Sequence, residues 1–506
     1  MTDTQFTIAQ GPIAGQIRNG CRSWLGLPFA GDSSGARRWQ APGDAPSWRF
    51  TRSADTFGQP CVQHGSAMGA QIPGGFGLGS EDCLSLNVYA PLRTRTPRPV
   101  MVWIHGGGFS VGASSQTWYD GARLAREHNV VVVTINYRVG VLGFLRLCDV
   151  TEGRIAATGN EGLLDQIAAL RWVQQNIAVF GGDADNVTIF GESAGGMSVA
   201  SLMAMPEAKG LFHKAIIQSG RGHAAHDIDD ANRVGEAFLA LLPGDERRNP
   251  ASASAKSLVD AAATLHGRMM FDKRLTIMPT RPVVDGTHLP ELPIIAMRKG
   301  DSHDVPLLIG YNRHEWRYFA QVDRAMRRLS HDQMMARLRY HFSDRQIDTL
   351  LQAYDYEPGK ERETFRVYSA IFGDAAFVAS TRQIIAAHVE RQTVYAYRFD
   401  RPAPGMGGLL GACHVTEIPF VFGTLDQMGR GVLFEDSPAS WRLSQQVRHW
   451  WTQFAHTGEP ALGQWPTFND EPGEWRINDT TQFVPAEDSP REQFWRTVSD
   501  AQLVNI

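Results

Sequence analysis

Cysteine is scarce in this chain. Five residues in 506 cannot supply the dense cross-linking of a small secreted scaffold, so the fold must rest on a packed core. Lysine is scarcer than its usual share, six of the 49 Lys and Arg residues, and the acids outnumber the bases to leave a formal net charge of −4. That balance offers no electrostatic footing for nucleic acid, and clusters such as Arg247-Arg248 read as solvated faces. No apolar run approaches the ~18 residues that a membrane-spanning helix needs. The opening residues Thr4-Gln5-Phe6-Thr7-Ile8-Ala9 lack the basic and apolar regions of a secretory leader, so a cytoplasmic location is expected. The 16 histidines lack the ligand spacings of a zinc site, and neither H-E-x-x-H nor a phosphate-cradling glycine loop occurs, so no metal and no organic cofactor is expected. Internal repeats and low-complexity linkers are missing as well. At 43% hydrophobic and 20% charged residues, residues 1–506 read as one globular domain.

What the chain does have is Gly191-Glu192-Ser193-Ala194-Gly195. The β-branched run Asn186-Val187-Thr188-Ile189-Phe190 leads into it, and Gly196-Met197-Ser198-Val199-Ala200 leaves it as a helix start. A serine on such a sharp strand-to-helix turn has its hydroxyl thrust into the open, and the flanking glycines permit the strained backbone. The helix N-terminus adds free N–H groups and partial positive charge where an oxyanion would form. Upstream, Val100-Met101-Val102-Trp103-Ile104 ends in His105-Gly106-Gly107-Gly108-Phe109. Consecutive glycines leave their amides unshielded, as an oxyanion hole requires together with the amide of Ala194. His105 precedes the serine and reads as a structural hydrogen-bonding group.

A serine nucleophile needs a base and an acid, and in this fold class both follow it. Thirteen of the 16 histidines lie beyond Ser193, so position relative to strands must choose among them. Val305 to Gly310 reads as a strand, with Glu315 just past its C-terminal end, where open α/β sheets place their chemistry. Asp304, at the other end of that strand, and Glu417 are the rival acids. Thr393 to Phe399 is a further strand. It runs into the glycine-rich loop 405–411 and then Ala412-Cys413-His414, which puts His414 on a loop able to reach across to the serine. Cys413 reads as a small packing residue.

These segments resemble the type-B carboxylesterases, the family that includes the cholinesterases, and within it the bacterial para-nitrobenzyl-esterase type. The likeness runs from near residue 6 to about residue 470. It includes Ser80-Glu81-Asp82-Cys83-Leu84-Ser85-Leu86-Asn87-Val88-Tyr89, Asn136-Tyr137-Arg138-Val139-Gly140-Val141-Leu142-Gly143-Phe144, Gly159-Asn160-Glu161-Gly162-Leu163-Leu164-Asp165-Gln166, and Phe212 to Gly220. The resemblance implies nucleophile Ser193, acid Glu315, base His414, and oxyanion donors Gly107, Gly108 and Ala194. It also points to Cys61 and Cys83, a pair bridged in secreted members. Closing that loop is worth roughly 3 kcal/mol on the chain-entropy argument, whereas a reducing compartment favours two free thiols, and both states stay open. Two departures stand out. The acid segment, usually Asp-Glu-Gly, reads His314-Glu315-Trp316 and sets a second imidazole beside the acid. The loop from Val62 to Asp82 has Phe76 and no tryptophan, which speaks against choline esters.

The expected architecture is an α/β-hydrolase fold, a largely parallel sheet with strands near 100–104, 130–136, 186–190, 214–218, 305–310 and 393–399. Helices are predicted over Asn160 to Asn176, with Leu163, Ile167, Leu170 and Val173 on one face, and over Trp441 to His456. Insertions at about 65–79, 222–285 and 316–377 are expected to build the pocket, with Phe76, Phe109, Met270, Phe271 and Trp316 as lining residues. Such a pocket favours bulky, uncharged carboxylic esters taken by a monomer or homodimer, with no nucleic-acid or membrane partner. The same triad would serve an amide, carbamate or lactone hydrolase. A non-catalytic binding protein on this fold would have lost the nucleophile, which is present here. A cyanohydrin lyase with the same triad would release aldehyde and cyanide without an acyl-enzyme.

Overall fold

Runs of β-branched and aromatic residues make the centre of the molecule. In the computed structural model, which describes residues 4–64, 79–93, 96–269, 278–321, 324–360 and 362–506, these runs assemble into one eleven-stranded sheet. In chain order its strands are β1 (Gln16–Arg18), β2 (Cys21–Pro28), β3 (Ser85–Ala90), β4 (Arg98–Ile104), β5 (Val131–Ile135), β6 (Gly182–Glu192), β7 (Lys214–Gln218), β8 (Leu307–Asn312), β9 (Val394–Phe399), β10 (Gly473–Ile477) and β11 (Gln482–Pro485). Their spatial order is β11-β10-β9-β8-β7-β6-β4-β5-β3-β2-β1. From β5 to β10 all neighbours are parallel, and both edges turn antiparallel. All six expected strands are present. β6 begins four residues before the expected strand and runs on through Glu192. The antiparallel edges are additions to the expectation.

Successive side chains of a strand point to opposite faces, and the core follows that rule. Val102 and Ile104 join Val133, Ile189, Ile217 and Ile309 on one face, packed against helices α1 (Glu161–Asn176) and α2 (Ala194–Ala204). Met101 and Trp103 join Val132, Phe190, Ile216 and Leu308 on the other, packed against α3 (Pro438–Thr457). Leu163, Ile167, Leu170 and Val173 of α1 are all fully buried, as the helical spacing predicts. Each such side chain contributes about 1.5–3 kcal/mol by leaving water.

The insertions have structures of their own. Residues 222–285 carry helices Ile228–Leu239, Gly244–Arg248 and Ala255–Met269. Residues 316–377 build a third apolar cluster from Met326, Met334, Phe342, Leu350, Tyr354 and Phe372, which packs on Phe494 and Trp495 near the C-terminus. Residues 65–78 and 270–277, with the expected pocket residues Phe76, Met270 and Phe271, lie outside the described residues. No helix among the described residues is long and apolar enough to cross a membrane.

Candidate active site

The sheet order reverses between β6 and β4, and the site forms where their C-terminal ends part. Ile104 of β4 pairs with Gly191 of β6, which sets the triple-glycine loop directly beside the serine. Ser193 sits at φ 57°, ψ −123°, a conformation that costs an L-residue about 1–3 kcal/mol and recurs at functional sites. Close packing dictates the glycines around it. A Cβ on Gly195 would run into the Ile104 carbonyl, and one on Gly191 would lie 2.5 Å from the Gly195 carbonyl carbon. The Ser193 amide donates to the Gln218 carbonyl of β7 at 2.9 Å, and its own carbonyl accepts from Met197 at 2.8 Å as the first bond of α2.

The glycine loop is folded onto itself. The amides of Ser110 and Val111 both donate to the Gly107 carbonyl at 3.1 Å, with Gly107 at φ 116° and Gly108 at φ 60°. The amides of Gly107, Gly108 and Ala194 donate to no acceptor among the described residues. Phe109, expected in the pocket, takes φ 57°. Its ring is fully buried against Phe144 at 4.7 Å, where it anchors the loop to the core. His105 stacks on Tyr137 at 4.3 Å, and its Nδ1 lies 2.9 Å from the Gly106 carbonyl oxygen. Burial pulls its pKa down to about 4, so it stays neutral as a structural group.

On the far side of β6, the loops after β8 and β9 bring Glu315 and His414 together. His414 Nδ1 donates to Glu315 Oε2 at 2.6 Å. The other carboxylate oxygen, Oε1, accepts from the Ser219 hydroxyl at 2.6 Å and from the Asn312 amide at 2.7 Å. Three donors thus fix the carboxylate, and the imidazole tautomer follows: Nδ1 carries a proton and Nε2 faces the serine side. There Nε2 meets Glu192 Oε1 at 3.2 Å, and no hydrogen bond joins it to Ser193 among the described residues. Glu417, the rival acid, accepts from Gln218 at 3.1 Å and from the Asn312 side chain at 2.6 Å. It lies in the same buried network without touching the imidazole. Asp304 lies before β8, at the opposite end of the strand.

His414 is therefore surrounded by charge. Burial alone would lower its pKa, but the carboxylates of Glu192 and Glu315 overturn that and hold it up at about 9. Burial pushes Glu192 up to about 8, and burial with the nearby Glu315 raises Glu417. An aromatic wall completes the surroundings. Phe377 packs on the His414 ring at 4.7 Å and Phe319 at 5.6 Å. Phe377 is set there by a one-turn π-helix, Asp374–Val378, a local widening that often marks functional positions. Trp316 is half-buried and packs on Phe319 at 4.8 Å and Phe372 at 5.4 Å, one ring removed from the imidazole. His314 pairs with the loop before His414: its amide donates to the Ala412 carbonyl at 2.8 Å, and its Nδ1 accepts from the Ala412 amide at 3.3 Å. Burial and the neighbouring arginines 317, 313 and 398 lower its pKa to about 3. It is a neutral staple for the His414 loop. Cys413 is buried as a packing residue.

Cys61 and Cys83, left open between bridged and free, are both free thiols buried next to each other, and Cys61 Sγ accepts from the Val139 amide at 3.4 Å. Both side chains are almost fully buried.

Glu192, Ser219, Asn312, Phe319 and Phe377 were not singled out from the sequence as parts of the site, and Glu417 entered only as a rival acid. Glu192 alone carried a signal, as the variable residue of the pentapeptide immediately before the serine.

A model of the carboxylesterase family matches residues 2–495. The chain is 36% identical over 500 residues to para-nitrobenzyl esterase of Bacillus subtilis (strain 168), covering 97% of this chain and 98% of that protein. It is 34% identical over 518 residues to the cocaine esterase of Homo sapiens, covering 94% of this chain and 87% of the relative. Among solved structures, carboxylesterase EST55 of Geobacillus stearothermophilus superimposes with a TM-score of 0.86 at 34% identity, over 97% of this chain and 100% of the other. The large mixed sheet flanked by helices is the α/β-hydrolase fold of these structural neighbours.

Proposed function

This chain belongs to the carboxylesterase family and is a carboxylic ester hydrolase, and from that premise we propose that it cleaves uncharged, apolar esters with Ser193 as nucleophile, His414 as base and Glu315 as acid. Ser193 at its free pKa is a poor nucleophile, so His414 Nε2 takes its proton as Oγ attacks the ester carbonyl. The developing oxyanion settles on the amides of Gly107, Gly108 and Ala194, each worth about 10²–10³ in rate. His414 then returns the proton to the departing alcohol, and water cleaves the acyl-enzyme by the same steps. Glu315 holds the imidazole with Nδ1–H towards it and stabilises the imidazolium. The observation that carries this reading is the 2.6 Å bond from His414 to a carboxylate already held by two other donors, beside a serine flanked by unoccupied amides.

The preference for apolar, uncharged esters rests on Phe319 and Phe377 around His414 and on the buried carboxylates of Glu192, Glu315 and Glu417, which oppose an anionic substrate. The name of the para-nitrobenzyl esterase fits an aromatic ester. We read the chain as one catalytic domain whose insertions, where they are described, wall the pocket.

Acid-quenched turnover of p-nitrophenyl butyrate, followed by peptide mass spectrometry, tests the route. Butyryl on Ser193 is expected. Turnover with butyryl on another residue, or on none under conditions where deacylation limits the rate, overturns it.

The pH profile carries a second expectation. Only the neutral imidazole accepts the serine proton, so kcat/KM rises with pH as His414 deprotonates. Because carboxylates hold the imidazolium in place, the limb should lie on the alkaline side of the ordinary histidine value of about 6.5. Glu192→Gln removes the charge that faces Nε2 and should move the limb towards acid. Profiles of both proteins from about pH 5 to 10 check this, and an unmoved limb rules out Glu192 as the charge responsible.

A further inference from the structure

Arg221 and Arg281 are each only 2% exposed. Arg221 lies two residues past Ser219, where the chain leaves β7. Arg281 lies near the bridge that joins His226 to Val283. Both guanidinium groups reach the same short C-terminal helix, Asp500–Val504. Arg221 Nη2 donates to the Leu503 carbonyl, and Arg281 Nη1 donates to the next carbonyl, that of Val504, at 2.9 Å. Adjacent acceptors thus bring the two cations together. Arg281 Nε also donates to Nδ1 of His226 at 3.3 Å. That leaves the His226 proton on Nε2, which donates to the Pro279 carbonyl at 2.9 Å. His226 is therefore neutral and supplies no counter-charge.

Among the described residues no carboxylate forms an ion pair with either arginine. The nearby acids are engaged elsewhere. Asp500 takes His223 at 3.1 Å and Arg298 at 2.6 Å. Asp227 is exposed and caps its own helix by accepting from the Asp230 amide at 2.7 Å. Two donors remain: Arg221 Nε and Arg281 Nη2 are buried and have no acceptor among the described residues. Burial and the charge of Arg281 lower the pKa of Arg221 to about 9, and burial lowers that of Arg281 to about 10. Like charges taken out of water side by side are costly unless an anion compensates them.

We propose that Arg221 and Arg281 bind a small inorganic anion of chloride size beneath the C-terminal helix, on the N–H groups Arg221 Nε and Arg281 Nη2. Two residual donors among fully buried neighbours such as Thr280 and Leu503 suit a monatomic anion better than phosphate or a substrate carboxylate. The anion fastens the C-terminal helix to the segment that follows Ser219, the residue whose hydroxyl holds Glu315.

The test uses the full chain exchanged into sodium gluconate and titrated with sodium bromide at constant ionic strength, with bromide-soaked crystals measured at the bromine edge. Bromide should raise Tm, and at 100 times its Kd the unfolding constant falls about 100-fold. An anomalous peak should lie within hydrogen-bond reach of both named nitrogen atoms. Arg281→Met should remove both the peak and the bromide dependence of Tm. Three results overturn the proposal: no peak at the arginines, a peak without any Tm response (binding at crystal concentration only), or an Arg281→Met protein more stable in bromide than the wild type. The last would mean that the unpaired charge is simply tolerated and that removing it brings relief.

Discussion

Replacing Ser193 by alanine should lower kcat by about 10⁴–10⁶-fold and leave the fold intact. The magnitude follows from the way the site is assembled. Without the hydroxyl there is no acyl-enzyme, and the buried His414–Glu315 pair has no proton to move. What survives is the contribution of the amides of Gly107, Gly108 and Ala194, which still polarise a bound carbonyl and leave a residue of about 10³–10⁴ over water. The fold should tolerate the change because no described hydrogen bond uses the Ser193 side chain, whereas its backbone bonds to Gln218 and Met197 remain available to alanine. Alanine keeps the strained φ of 57°, so Tm should move little. Single-turnover kinetics and a thermal melt on the same preparation separate the two effects. A loss of activity below tenfold would remove Ser193 from the mechanism.

The parts of this site that could be read in the chain are those whose cause is local. Asn186 to Phe190 must be a strand because its β-branched residues suit a pleat, and Gly195 must be a glycine because the Ile104 carbonyl occupies the space a Cβ would need. The first cause lies within a few residues of Ser193; the second reaches across to β4, and it is the pentapeptide itself that marks Gly195. Glu315 follows a buried strand and His414 follows another, so their positions at the sheet's C-terminal edge come with the strands. The positions that escaped depend on partners far along the chain. Ser219 meets Glu315 across 96 residues and Gln218 meets Glu417 across 199, and no periodicity records such pairs. Strand β2, Cys21–Pro28, is buried along most of its length with Arg22 inside, so it lacks the polar alternation that marks an antiparallel strand. Phe109 is expected among the pocket-lining residues, yet its positive φ turns the ring down onto Phe144. Phe377 reaches His414 only because one helical turn opens to π geometry, a register change that leaves no mark in composition.

Glu315→Gln should cost about 10⁴ in kcat although the side chain keeps its shape. The carboxylate accepts on both oxygens: Oε1 from Ser219 and Asn312, Oε2 from His414. A glutamine has one acceptor and one donor in their place. If its NH₂ takes the Oε2 position, it opposes the Nδ1–H of His414 and drives the imidazole to the other tautomer, with the proton on Nε2 where the serine needs a lone pair. If its NH₂ takes the Oε1 position, it opposes the Asn312 amide, which cannot turn away, and loses the charge that stabilises the imidazolium. The first arrangement removes the base, and the second keeps the tautomer but leaves the imidazolium without its counter-charge. Glu417→Gln provides the contrast. Glu417 accepts from two side-chain amides, Gln218 and Asn312. Gln218 is held by accepting from Trp451 Nε1 at 3.0 Å, but Asn312 Oδ1 has no other partner among the described residues, so Asn312 can flip to meet the NH₂ of a glutamine and the loss should be far smaller. Measuring kcat and its pH dependence for both variants decides between the two carboxylates. A large loss at Glu417 with a small one at Glu315 would reverse the assignment. The expected pattern ties the effect to the 2.6 Å contact with His414 rather than to buried negative charge as such.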